Sequence, residues 1–113
     1  MAQYEAHLQG NFNDLLNYIE HQVMQGSSSA SREGGSFYEI DGVRCAVRVY
    51  ERYSYMGGNR LSLNVTLFGK DDELYLTAVT AGGSQALFFK INTWGEQSFL
   101  AKFVKAIEAY QKK

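Results

Sequence analysis

The sequence predicts an α+β fold: a two-layer sandwich with two helices on one face of an antiparallel meander of about five to six strands. Three observations carry this. Two segments near the ends repeat apolar residues at spacings of three and four, the helical period. The stretch between them alternates at two, the strand period. Short turn signals, Asp41-Gly42 and Gly82-Gly83, punctuate that stretch. The element order is β-α-β-β-β-β-β-α.

"QYEAHLQ" alternates Tyr4, Ala6 and Leu8 against Glu5, His7 and Gln9, a half-buried strand that must join a sheet edge. In "GNFNDLLNYIEHQVMQG", Phe12, Leu15, Leu16, Ile19 and Val23 make one helical stripe. Asn11 suits its N-cap, Asp14 its first turn and Gly26 its end. "GSSSASREGG" is small and polar and reads as a loop; without the lysine of a P-loop it reads as a connector.

From Ser36 the chain alternates again. A two-residue Asp41-Gly42 turn sets Ile40 opposite Val43 and Tyr38 opposite Cys45. Val43, Cys45, Val47 and Val49 then share the inward face, while Arg44, Arg48, Tyr50 and Arg52 take the open one. Glu51 falls by parity on the inward face, where an unpaired carboxylate is costly; a bulge, an exposed strand end or a pocket would each accommodate it.

After Asn59, Leu61, Leu63, Val65 and Leu67 point inward. A two-residue Gly57-Gly58 turn would pair Arg52 with Leu63 and mix the faces. An irregular hairpin is therefore expected there, with Val49 opposite Leu67 or Val65. "GKDDE" turns the chain into Leu74, Leu76 and Ala78. A Gly82-Gly83 turn would then bring Leu87, Phe89 and Ile91 beside them as a further strand. Thr93 with Glu96 makes a capping box, followed by a stripe of Phe99, Leu100, Phe103, Ile107 and Tyr110.

The chain has 113 residues, 45% hydrophobic and 20% charged, which fits one folded domain over residues 1–113. Its net charge of -1 offers no global attraction for nucleic acid or an anionic membrane. The start lacks the pattern of a signal peptide, and no stretch has the length of a membrane span. The one cysteine, Cys45, precludes an intrachain disulfide and favours a reducing, cytoplasmic setting.

For function, the expected open face carries Arg44, Arg48, Tyr50 and Arg52 beside Phe68, Tyr75 and Phe88. Arginines and aromatics on an open sheet can bind single-stranded nucleic acid, but no RNP-like motif is present, and nucleic acid is the least favoured partner. The plain reading is a solvated face whose arginines lie over tyrosines and threonines; among binding readings, self-association as a homodimer through this face fits best. The alternative is a small-molecule pocket between helices and sheet around Glu51, Tyr53, Tyr55 and Trp94. Cys45 reads as a core residue rather than a nucleophile. His7 and His21 have no partners spaced for zinc or a triad. No cofactor, no metal and no enzymatic constellation is expected.

Three features resemble a family of short uncharacterised bacterial proteins: "VRCAVRVYERYSYMGGNRLSLNVTL", "TAGGSQALFFKINTWGE" and the closing amphipathic helix. The resemblance implies a bacterial origin and brings no catalytic motif. At the level of fold, a long C-terminal helix across a curved sheet is similar to helix-grip ligand-binding proteins. This chain is shorter and lacks their second central helix pair.

Overall fold

A computed structural model describes residues 2–53, 60–82 and 89–111, the side chains of 89–98 excepted. The elements are β1 (Ala2–Gln9), α1 (Phe12–Gln25), β2 (Ser31–Ile40), β3 (Val43–Tyr53), β4 (Arg60–Lys70), β5 (Glu73–Gly82) and α2 (Phe89–Gln111). The five strands form one antiparallel sheet in the order β1-β5-β4-β3-β2. Both helices pack on one face, and the other face is uncovered among the described residues.

The core lies where helix stripes meet two leucine-rich strands. Leu61, Leu63, Val65 and Leu67 of β4 are fully buried, as are Leu74 and Ala78 of β5. Phe12, Leu15, Leu16, Ile19 and Val23 of α1 lie on them, as the helical spacing requires. Phe99, Leu100, Phe103 and Ile107 of α2 complete the layer. The Asn11 side chain caps α1 by accepting from the Asp14 N–H at 2.9 Å.

The β2-β3 hairpin has the expected register, Ile40 with Val43 and Tyr38 with Cys45. Its turn residues Asp41 and Gly42 both have positive φ, 52° and 81°, the geometry that matches strand twist in a two-residue hairpin.

Four expectations are corrected. Ser31–Gly35 is not loop but the start of β2, with a register shift between Arg32 and Gly34. No strand follows β5 among the described residues: Phe89 and Ile91 lie in α2, while Gly83, Leu87 and Phe88 lie outside them. The place expected for that strand is taken by β1, which pairs Leu8 with Leu74, Ala6 with Leu76 and Tyr4 with Ala78. A short apolar run such as "ALFFKIN" does not distinguish strand from helix by period. Thr93 therefore sits inside α2 rather than at its cap.

The fourth correction concerns β3, whose faces are the reverse of those expected. Arg52 pairs with Leu61, Tyr50 with Leu63, Arg48 with Val65 and Ala46 with Leu67. The arginine side of β3 therefore shares the helix-covered face with the leucines. Val49 pairs with Asn64 and Val47 with Thr66, on the open face. The expected hairpin at Gly57-Gly58 lies outside the described residues, but the pairing of Arg52 with Leu61 is not the one a two-residue turn there would give.

Gly69 lets α1 land on this face. A Cβ there would stand 2.6 Å from Leu74 Cδ2 and 3.2 Å from Phe12 Cδ2. Gly69→Val should lower unfolding free energy by about 1–3 kcal/mol through overpacking, read from the urea midpoint.

Candidate functional site

The inward turn of β3 creates a polar clamp under α1. Glu20 flanks the apolar stripe, one turn beyond Leu16, so its carboxylate reaches over β3. The Tyr50 hydroxyl donates to Glu20 Oε1 at 2.7 Å, and Arg48 Nη1 donates to the same oxygen at 3.1 Å. Arg32 of β2 approaches it at 3.5 Å. Gly35, paired with Arg48, leaves room for the arginine stem, since a Cβ there would lie 3.2 Å from Arg48 Cδ.

Arg44 and Arg52 also face the helices. The Arg44 guanidinium stands 5.8 Å from the Phe12 ring centre, and that of Arg52 stands 4.4 Å from the Phe99 ring centre. The arginine stems thus cover apolar surface while their heads find a carboxylate or a ring. The four residues expected on the open face, Arg44, Arg48, Tyr50 and Arg52, are brought together on the opposite one. Arg52 is partly desolvated, and burial pulls its guanidinium below the ordinary arginine value.

The open face is consequently more apolar than expected. Val43, Cys45, Val47 and Val49 of β3 lie on it, half-buried by their neighbours. Beside them stand Ile40 and Tyr38 of β2, 73% and 65% exposed, Phe68 of β4 at 46% and Tyr75 of β5 at 51%. Cys45 is free and half-buried between Tyr38 and Phe68, not a core residue.

Charges gather at the two ends of this face. At one end Arg60 Nε donates to Glu51 Oε1 at 2.6 Å, and Arg60 Nη2 donates to Glu33 at 3.3 Å. The same guanidinium lies 5.2 Å from the Tyr53 ring centre. Glu51 does share a face with Val49, as parity requires, but that face is the open one, so it is neither bulged nor buried unpaired. At the other end His7 meets Glu73 at 2.5 Å and stacks flat on Tyr75, ring centres 4.3 Å apart.

Two of the four expected pocket residues stand away from the helix–sheet interface. Glu51 and Tyr53 lie on the open face, away from the helices; Tyr55 and the Trp94 side chain lie outside the described residues. A cleft of about 430 Å³ does open elsewhere, between α1 and α2 above the end of β3. Tyr18, Val23 and Gly26 form one wall, Phe103, Ala106 and Ala109 the other, and Arg52 reaches it from the sheet. Two contacts hold its walls: the Tyr18 hydroxyl donates to Ala106 O at 2.6 Å, and Lys102 Nζ donates to Gly26 O at 3.2 Å.

Sequence reasoning missed Glu20, Tyr18, Lys102 and Arg60. The available signal was position: Glu20 borders the α1 stripe and Lys102 that of α2, the places from which long polar side chains cross to a neighbour. Among the described residues no cluster of three His, Cys, Asp or Glu could hold a metal ion, and no helix is long and apolar enough to cross a membrane.

Fold and surfaces together define an α+β protein with an open-faced antiparallel sheet and two helices on the other side. Over residues 1–111 the chain matches the model of a family described as "Family of unknown function (DUF6054)", and it belongs to that family. A comparison with curated proteins finds no match.

Two measurements check the clamp. Glu20→Ala leaves Tyr50 and Arg48 without their shared acceptor and should destabilise the fold by about 1–3 kcal/mol in urea unfolding. The Tyr50 phenol is pushed far above the usual tyrosine value, first by burial and then by Glu20, with Arg48 opposing. Its folded value exceeds its unfolded one, so its contribution to stability is complete below about pH 10 and is lost as pH rises further. In an alkaline absorbance titration of the folded protein, Tyr50 should fail to ionise with the exposed tyrosines, and its ionisation should coincide with unfolding.

Proposed function

We propose that the protein is a non-enzymatic module that pairs with a second copy of itself through the open sheet face. The observation that carries this reading is the row Val43, Cys45, Val47 and Val49, whose Val43–Cys45 end lies between exposed Ile40 and Tyr38 on one side and Phe68 and Tyr75 on the other, with the small polar Ser36, Thr66 and Asn64 beside Val47 and Val49. β-branched and aromatic side chains on a pleated surface are well shaped to pack face to face with another sheet. A contiguous apolar patch rimmed by polar groups is the usual anatomy of an interface.

Electrostatics favour a second copy as the occupant. Between its ends the β3 row carries no charged side chain; at one end Arg60 pairs with Glu51 and Glu33, and at the other Glu73 is hydrogen-bonded to His7 and stands opposite Lys70. A two-fold pairing of such a surface meets no like-charge penalty at its centre, whichever way the two sheets cross.

Sedimentation equilibrium should give a dimer for the wild type. Val47→Lys should shift it to monomer with unchanged far-ultraviolet circular dichroism, because a lysine there meets its symmetry mate or apolar surface. Cys45 offers a second readout, its reactivity toward a thiol reagent rising on dilution. A wild-type monomer at every concentration refutes the reading.

A further inference from the structure

On the opposite side of the sheet, the cleft between α1 and α2 has a composition that selects a ligand class. Its walls are apolar where the helices face each other: Val23 from α1, and Phe99, Phe103, Ala106 and Ala109 from α2. The space exists because Ala106 and Ala109 stand where larger residues would fill it. Its volume, about 430 Å³, falls within the range of small-molecule sites.

The charges around this apolar space have one sign. Arg52, Lys102 and Lys105 border it, and no aspartate or glutamate is among its described lining residues. Arg52 is held in place by its stacking over Phe99 at 4.4 Å. Lys102 spends one donor on Gly26 O and retains others, since an ammonium carries three. A ligand entering between the helices would thus find apolar contact along its body and cations at its head.

We propose that this cleft binds a small anionic amphiphile, one negative head on a single apolar body, the chemistry of a medium-chain fatty carboxylate. The carboxylate would take charge-assisted hydrogen bonds from the cationic side chains while the chain lies between Phe99, Phe103 and the two alanines. The site is independent of the open sheet face, so its occupancy and dimer formation are separable.

The test is calorimetric titration of the intact chain with sodium decanoate, decanol and decyltrimethylammonium, all below their aggregation limits. Decanoate should bind saturably with one site per chain and at least about ten-fold more tightly than the cationic amphiphile, since the latter meets three like charges. Decanol, with the same body and no charge, should fall between them. Lys102→Gln with Lys105→Gln, both at exposed positions, should weaken decanoate by about two- to ten-fold and flatten its salt dependence. Ala109→Phe, also at an exposed position, should fill the cleft and abolish binding while the melting temperature is kept. Absence of saturable decanoate binding, equal affinity for decyltrimethylammonium, or decanoate affinity unchanged in Ala109→Phe would each overturn the proposal.

Discussion

The pairing of β3 with β4, with Arg48 beside Val65 and Tyr50 beside Leu63, is the constraint on which the other features of the molecule depend. Because strand side chains alternate, this register sends every second residue of β3 toward the helices and its valines to the other side. It places Tyr50 and Arg48 under Glu20, Arg44 against Phe12 and Arg52 against Phe99. It also leaves an aliphatic row on the open face, along the strand next to the β2 edge.

That arrangement is stable because none of the inward cations is asked to lie in apolar surroundings alone. Arg48 shares a carboxylate with a buried phenol, and Arg44 and Arg52 lie against aromatic rings. Charge-assisted hydrogen bonds of this kind are stronger than neutral ones, and leaving one member without its partner is the expensive event. β3 also lies toward the margin of the helical layer, beyond the leucine strands β4 and β5, where long stems can reach past the helix and keep their heads partly hydrated. The same residues on β4 would have no such outlet.

The two surfaces that result are chemically opposite. The open face carries an uncharged aliphatic row beside aromatic and small polar side chains, with its charged groups at the ends. The interhelical cleft is apolar inside and cationic at its border. Both follow from one event: turning the arginines of β3 inward takes cations away from the first surface and supplies Arg52 to the second.

Reading the residues in order is enough for the fold class, the α1 stripe and its Asn11 cap, the Asp41-Gly42 hairpin, and the inward leucines of β4 and β5. These are local or strongly periodic signals: a turn that few residues make, a repeat of two or of three to four. The buried face of β3 is not legible in that way, because the valine row and the arginine row both alternate, and hydrophobicity taken alone chooses the valines. The partners that reverse that choice, Glu20, Phe12 and Phe99, come from helices distant in the chain and meet β3 once the layers have packed. The neighbour of β5 is settled by the same long-range packing. β1, from the other end of the chain, takes that place, while Phe89 and Ile91 lie in α2, whose later turns pack on the core.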